Sequence, residues 1–186
     1  MKKIRGFEIV EEYIDENITL PVRSTRYSAG YDIAAAEDIE IPSFWKELFR
    51  FQLKSLKQWI HGLNNQQTLE EENVDNLLKP TLVPTGLKVY MEDDEYLQII
   101  SRSSNPIKRR LMLPNSIGII DADYYNNPSN EGHVYVQLIN YGLTSYQINK
   151  GDRIAQGIFT KYLKVDNDIQ SENARTGGFG SSDQDA

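Results

Sequence analysis

Short stretches rich in apolar residues recur along most of the chain, and turn-forming residues separate them. The stretches that fit β-strands are 4–10, 39–42, 81–91, 95–101, 117–120, 133–140 and 154–159. In 133–140 apolar and polar residues alternate, as in a strand with one face in a core and the other toward solvent. Many short strands divided by turns are typical of a β-barrel or β-sandwich, so the pattern predicts an all-β fold.

Three connections between these strands can be predicted from their residue types. The acidic run Glu92-Asp93-Asp94 predicts a hairpin that joins 81–91 to 95–101. A second turn is expected at Lys150-Gly151-Asp152, just before the last strand. Residues 126–132 are polar and should form a surface loop.

A helical pattern interrupts the strands from residue 43 to about residue 79. Its first part repeats apolar residues every three or four positions, namely Trp45, Leu48, Phe49, Leu53, Leu56, Trp59, Ile60 and Leu63. A second, shorter helix should begin after Thr68, whose spacing from Glu71 matches a capping box, and should end at Pro80. The first helix is net positive and the second net negative, which favours an antiparallel helical hairpin.

The apolar stripe of the first helix is too large to remain in water. We expect it to pack on the second helix and on the β domain. The alternative is a docking platform for a regulatory protein, which would make the segment 43–80 a site for a protein partner.

Composition narrows the classes of function. The 186 residues carry a net charge of −7 and no cysteine, so disulfides and thiolate metal sites are excluded. With neither a signal peptide nor an apolar run of membrane length, a cytoplasmic protein without a membrane segment is expected. An acidic chain whose one tight basic cluster is Lys108-Arg109-Arg110 is a poor general nucleic-acid binder, although converging arginines can still bind a small polyphosphate.

The segment Gly118–Tyr125 is the first candidate for chemistry, since two isoleucines lead directly into Asp121 and Asp123. If the strand continued through it, alternation would place both carboxylates on one face. A carboxylate fixed at a strand end can hold an attacking water. The alternative is an acidic pair in a solvated turn.

Three arginines lie in contexts that suit anions. Arg102 is followed by Ser103 and Ser104, whose hydroxyls can donate to phosphate oxygens. Arg153 lies between a turn and a strand, three residues before Gln156. Arg175 precedes a glycine-rich run that allows close backbone approach to a ligand. A polar turn, a turn end and a mobile tail are the respective structural alternatives.

Taken in order, these segments resemble the five motifs of the trimeric dUTPase family. The segments are Ala29-Gly30-Tyr31-Asp32, Arg102-Ser103-Ser104, Gly118-Ile119-Ile120-Asp121-Ala122-Asp123-Tyr124, Gly151-Asp152-Arg153-Ile154-Ala155-Gln156 and Arg175-Thr176-Gly177-Gly178-Phe179-Gly180-Ser181. The resemblance implies a dUTPase-like β-barrel (a distorted jelly roll) formed by 1–42 and 81–165. The helical hairpin at 43–80 would be an insertion, and 166–186 a mobile tail.

The same resemblance implies the activity and its setting. The expected reaction is hydrolysis of dUTP to dUMP and pyrophosphate, which keeps uracil out of DNA and supplies dUMP for thymidylate synthesis. The expected assembly is a homotrimer with active sites at subunit interfaces. Mg²⁺ is expected as cofactor, held through the triphosphate and waters with no direct protein ligand.

Site residues carry over position by position. Asp121 would hold and polarise the attacking water, and Asp123 would be a structural turn residue. The expected phosphate contacts are Arg102, Ser103, Ser104, Gln156, Arg175 and Ser181, supported by Asp32 and Arg153. Asn115, Ile119 and Ile120 would read uracil, Tyr124 would pack under the deoxyribose, and Phe179 would cover the base.

Three features depart from the family pattern, and two rival functions remain. The second motif carries Ser104-Asn105-Pro106 where glycine and small apolar residues are common. Residues 126–131 lengthen the hairpin after Tyr125, and the tail motif is one residue shorter than the common form. One rival is a dCTP deaminase of the same fold, which would release ammonia from dCTP. The other is a nucleotide-binding regulatory protein that signals through the helical segment.

Overall fold

A computed structural model describes residues 3–62 and 79–168. Within them the chain forms one α-helix, α1 (Phe44–Gly62), and twelve strands: β1 (Gly6–Ile9), β2 (Val22–Arg23), β3 (Tyr31–Ala34), β4 (Ile39–Ile41), β5 (Thr81–Pro84), β6 (Leu87–Tyr90), β7 (Glu95–Ser101), β8 (Leu111–Met112), β9 (Ile117–Asp121), β10 (Tyr135–Asn140), β11 (Tyr146–Ile148) and β12 (Arg153–Lys161). Short helical turns occupy Glu11–Tyr13, Asn105–Arg109 and Ala122–Tyr124. The predicted mainly β fold is confirmed.

The strands form antiparallel sheets that share one core. The largest has the order β2-β3-β12-β7-β9, and a three-stranded sheet has the order β5-β10-β8. Two further pairs join β1 to β6 and β11 to β4. In this arrangement β9 is an edge strand, paired with β7 on one side.

Alternation along the strands supplies the core. In β7, Leu97 and Ile99 are buried while their neighbours are only partly covered, and in β10 the same holds for Val136 and Leu138. Side chains from all four groups of strands meet in one cluster. Burying each such aliphatic side chain contributes about 1.5–3 kcal/mol, so the shared core is a main source of the stability that holds the sheets together.

The hairpin predicted between 81–91 and 95–101 is wrong. The first stretch breaks into β5 and β6 at Thr85 and Gly86, and Gly86 has a φ of +69°. Strand β6 then pairs with β1, whereas β7 pairs with β12 and β9. The break is held by side chains, since Thr85 Oγ1 donates to the Val134 carbonyl at 2.6 Å and the Gly86 amide donates to His133 Nε2 at 3.0 Å.

The first predicted helix is confirmed, and its first turn is attached to the β domain. Ser43, which is fully buried, accepts the Lys46 amide at 3.2 Å as a helix cap and donates to the Gly142 carbonyl at 2.6 Å. The indole of Trp45 donates to the Tyr141 carbonyl at 3.1 Å. The predicted second helix lies mostly outside the described residues, so the hairpin remains a prediction.

In the described part of the chain, no helix has the length and apolar character needed to cross a membrane.

Candidate active site

Asp32 is the centre of a polar cluster at one end of the large sheet. Its side chain is 3% exposed and accepts four hydrogen bonds. The donors are Ser24 Oγ at 2.5 Å, Arg153 Nη1 at 2.9 Å, Arg102 Nε at 3.1 Å and Gln156 Nε2 at 3.1 Å. The strand register explains why these side chains lie close together, because Gln156 on β12 is directly opposite Asp32 on β3. The structure therefore brings together four of the residues singled out in the sequence.

The cluster keeps Asp32 ionised. Burial by itself raises the pKa of this carboxyl, but hydrogen bonds from Ser24, Arg153 and Gln156 and the charge of Arg102 outweigh it. The net result is a pKa below the ordinary aspartate value. A charged Asp32 can thus orient both guanidinium groups at neutral pH.

The turn after Arg102 is fastened to the start of β12. Arg102 Nη1 and Arg109 Nη1 both donate to the Arg153 carbonyl, at 3.2 and 2.9 Å. Asn105, which is fully buried, donates through Nδ2 to the Ile154 carbonyl at 2.6 Å. These bonds place Ser103, which is exposed, and Ser104 beside the two arginines of the cluster.

Sequence reasoning missed Ser24, Asn105 and Arg109. Arg109 had a visible signal, because it belongs to the basic cluster Lys108-Arg109-Arg110. Ser24 and Asn105 gave none, since a serine or asparagine in a turn usually serves the local backbone. Their partners lie far away along the chain, at Asp32 and Ile154.

Asp121 ends β9, where its side chain is exposed. The chain then turns into the short helix Ala122–Tyr124. The expected continuation of the strand through Asp123 is therefore wrong, and strand alternation does not relate the two carboxylates. Tyr124 turns inward and is 4% exposed.

The three residues predicted to read uracil lie on β9 and in the turn before it. Asn115 is exposed in the turn before β9, Ile119 is 49% exposed, and Ile120 is partly buried. Because β9 is an edge strand, one side of its backbone faces away from the sheet. Gly118 packs closely on β7, where an added Cβ would come within 3.2 Å of the Cβ of Ile99.

Asp121 and the Asp32 cluster do not meet within one chain. Asp121 at the end of β9 pairs with Tyr96 on β7. Asp32 on β3 pairs with Gln156 on β12, and Gln156 pairs with Ile100 on β7. Ile100 in turn pairs with Ile117, at the start of β9. Four residues along β9 span about 13 Å, and the three strand spacings from β9 to β3 add about 14 Å across the sheet. Asp121 and the Asp32 cluster are therefore well separated within a single subunit.

The remaining predicted site residues, Arg175, Phe179 and Ser181, lie outside the described residues, and their roles remain predictions.

Comparison with known proteins gives one consistent family. A family model described as dUTPase matches residues 69–183. The chain is 43% identical over 180 residues to the deoxyuridine 5'-triphosphate nucleotidohydrolase of Lactococcus lactis, covering 96% of this chain and 97% of that protein. It is 32% identical over 179 residues to the enzyme of the same name from Leptospira interrogans, covering 94% and 97%.

Solved structures that are similar to this chain belong to dUTPases as well. The crystal structure of the dUTPase from Streptococcus mutans has a TM-score of 0.66 and 37% identity, covering 87% of this chain and 99% of that one. The dUTPase from phage phi11 of S. aureus, described with a species-specific insert, has a TM-score of 0.59 at 18% identity, covering 92% and 97%. The second likeness concerns the fold alone.

Proposed function

The chain belongs to the dUTPase family, and we propose that it carries out the family reaction in a site that neighbouring subunits build together. The protein is a dUTP diphosphatase that releases dUMP and pyrophosphate. The observation that supports a shared site is the separation of Asp121 from the Asp32 cluster in one chain. A homotrimer would close each site by bringing the two halves together across an interface.

In this site the Asp32 cluster binds the triphosphate. Hydrolysis of a phosphoanhydride needs mainly positioning and neutralisation of charge, which guanidinium groups and hydroxyls supply. Arg102 would contact phosphate oxygens together with Ser103, Ser104 and Gln156. Asp32 and Arg153 would support them, since Asp32 fixes Arg102 through Nε and the Arg153 carbonyl fixes the same guanidinium through Nη1.

Asp121 would hold and polarise the attacking water. Its carboxylate is exposed at the end of a strand whose backbone is fixed by pairing with β7, so it has a defined position and access to solvent. As a hydrogen-bond acceptor it would orient the water toward phosphorus and take up its proton.

Uracil would be recognised beside the same strand end. The backbone of Ile119 and Ile120 on the edge strand offers fixed donors and acceptors, and Asn115 lies in the preceding turn. A base with the wrong pattern would leave buried polar groups unpaired, which rejects cytosine. Tyr124 would pack under the deoxyribose.

We propose that the C-terminal residues complete the site. Arg175 and Ser181 would contact phosphates and Phe179 would cover the uracil ring. Such closure excludes water from the reacting groups.

Mg²⁺ fits this arrangement as an ion that binds together with the triphosphate of the substrate. Mg²⁺ would be held by oxygens of the triphosphate and by waters, with no direct protein ligand. Among residues 3–62 and 79–168, no group of three or more His, Asp or Glu side chains is placed to hold a metal. When bound, Mg²⁺ would neutralise charge on the triphosphate.

Mixed oligomers test the shared site. Asp121→Asn and Arg102→Ala should each be nearly inactive, whereas refolding equal amounts together should restore pyrophosphate release. A restored site needs an intact Asp121 from one subunit and an intact Arg102 from its neighbour, so random assembly should recover about a quarter of wild-type activity.

A matched control combines two variants with the same defect. Asp121→Asn refolded with Asp121→Ala should recover nothing. If the Asp121→Asn and Arg102→Ala mixture were no more active than the two variants refolded separately, the shared site would be disproved.

We also propose that α1 contacts a regulatory protein. Four apolar side chains at helical spacing remain exposed among the described residues: Trp45 at 51%, Phe49 at 62%, Leu53 at 42% and Leu56 at 51%. The helix begins firmly on the β domain through Ser43 and Trp45, which would give a partner a fixed platform.

Substitutions on the stripe test this proposal. Phe49→Ser with Leu53→Ser should abolish capture of the partner in a pull-down and leave dUTP hydrolysis nearly unchanged. The control pair Lys46→Ser with Lys57→Ser, both exposed polar positions of α1, should still capture it. If the stripe variant instead lost its oligomeric state or unfolded, the stripe would serve the enzyme's own packing.

A further inference from the structure

We infer that Asn130, in the lengthened loop after the strand end, fixes the Tyr124 ring and thereby sets discrimination between deoxyribose and ribose. The inference rests on the proposed contact of Tyr124 with the sugar. Asn130 itself would not touch the nucleotide, so it is a positioning residue.

The hydrogen bonds of Asn130 leave one orientation for its amide. Asn130 Oδ1 accepts from the Gly132 amide at 3.1 Å and from Asn127 Nδ2 at 2.8 Å. Its Nδ2 is therefore the group that faces the Tyr124 hydroxyl, to which it donates at 2.9 Å. The hydroxyl in turn donates to the His133 carbonyl at 3.3 Å.

The loop that carries Asn130 is folded on itself. Asn127, which is 4% exposed, accepts three hydrogen bonds through Oδ1, from the Ser129 amide and hydroxyl and from the Asn130 amide. Its Nδ2 also contacts the Tyr124 carbonyl at 3.3 Å. The loop therefore holds the backbone of Tyr124 as well as its hydroxyl.

The loop is also fastened to the β domain. Lys88 Nζ, on β6, donates to Asn126 Oδ1 and to Glu131 Oε1, each at 2.8 Å. Glu131 Oε2 accepts the Glu11 amide at 2.8 Å. Since both ends of the loop are tied down, Asn130 has a fixed place from which to hold the tyrosine.

Tyr124 is held at its side-chain hydroxyl and at its backbone carbonyl, so its ring cannot withdraw from the sugar. Tyr124 is also only 4% exposed, so protein atoms cover most of its surface. A 2′-hydroxyl would then clash with a rigid surface, whereas a loosely held ring would move aside and admit it. Selectivity against ribonucleotides would thus depend on the loop as well as on the tyrosine.

The ratio of kcat/KM for dUTP to that for UTP is the measurement that separates positioning from general stability. Asn130→Ala should lower this ratio by about tenfold or more, the scale on which a pocket discriminates small steric differences. Tyr124→Phe, which keeps the ring and removes the hydroxyl, should lower it to a similar extent. The double variant should lose less than the two single losses combined, because both variants remove the hydrogen bond between Asn130 and Tyr124.

Two further variants make every outcome decisive. Gln147→Ala, which removes a side-chain amide on β11, outside the loop and its hydrogen bonds, should leave the ratio unchanged. Tyr124→Ala tests the sugar contact itself. If Tyr124→Ala lowers the ratio while Asn130→Ala and Tyr124→Phe do not, the positioning role is overturned and the sugar contact stands. If none of the variants changes the ratio, the positioning role of Asn130 and the sugar contact of Tyr124 are both disproved. If Asn130→Ala lowers kcat/KM equally for dUTP and UTP, Asn130 is merely structural.

Discussion

Asp121→Asn should lower kcat for dUTP by about a thousandfold, within the range that removal of a general base costs. Asparagine keeps the shape of the side chain but cannot take up the proton of the attacking water. In the proposed site the carboxylate contacts water and not the nucleotide, so the Kd for dUTP should change by no more than a few-fold. Pyrophosphate release gives the first quantity, and calorimetric titration of the inactive variant with dUTP gives the second.

Asp123→Asn is the matched control, because it makes the same chemical change two residues away, in the turn Ala122–Tyr124. We expect it to keep most of the wild-type kcat. Equal losses in the two variants would contradict the assignment of the water to Asp121. A large loss of dUTP binding in Asp121→Asn would instead assign that carboxylate to substrate binding.

Asp32→Ala should lower kcat/KM for dUTP by about a hundredfold, mainly through kcat. Hydrogen bonds to a charged group contribute about 1.5–3 kcal/mol each, and this change removes the carboxylate that orients both Arg102 and Arg153. The charge change alone would strengthen attraction for a triphosphate, so a fall in activity would report lost orientation. Steady-state kinetics of pyrophosphate release measure both constants.

Glu47→Ala is a control with the same loss of charge. Glu47 pairs with Arg50 at 3.0 Å on α1, and none of the four hydrogen bonds to Asp32 involves it. Its kinetics should match the wild type. If Asp32→Ala bound dUTP more tightly and kept its kcat, Asp32 would be a structural residue with no part in the phosphate site.

Much of the fold could be predicted because its strands are short and amphipathic. The alternation in residues 133–140 identified β10, and the apolar stretch 95–101 matched β7. The division of 81–91 into β5 and β6 could not be predicted, because periodicity does not tell which sheet a residue joins. That division depends on Thr85 and Gly86, whose partners Val134 and His133 are distant in the sequence.

The candidate site was predicted unevenly for a similar reason. Residue type alone suggested Arg102 and Asp121, and their order along the chain identified the family. No local pattern indicates that Arg109 reaches the Arg153 carbonyl, because that contact depends on how one turn packs on a strand. The same holds for Asn130, which resembles any loop asparagine until its amide is placed beside Tyr124.

The edge position of β9 has an evolutionary consequence. If uracil is read by main-chain groups of this strand, genetic drift can replace the exposed side chain of Ile119 without erasing the readout, since every residue type except proline carries the same amide. Gly118 has less freedom, because an added Cβ would come within 3.2 Å of the Ile99 Cβ and make Ile99 give way by a few tenths of an ångström. Base selectivity would then depend on the conformation of the β9 backbone, and among its residues mainly on Gly118.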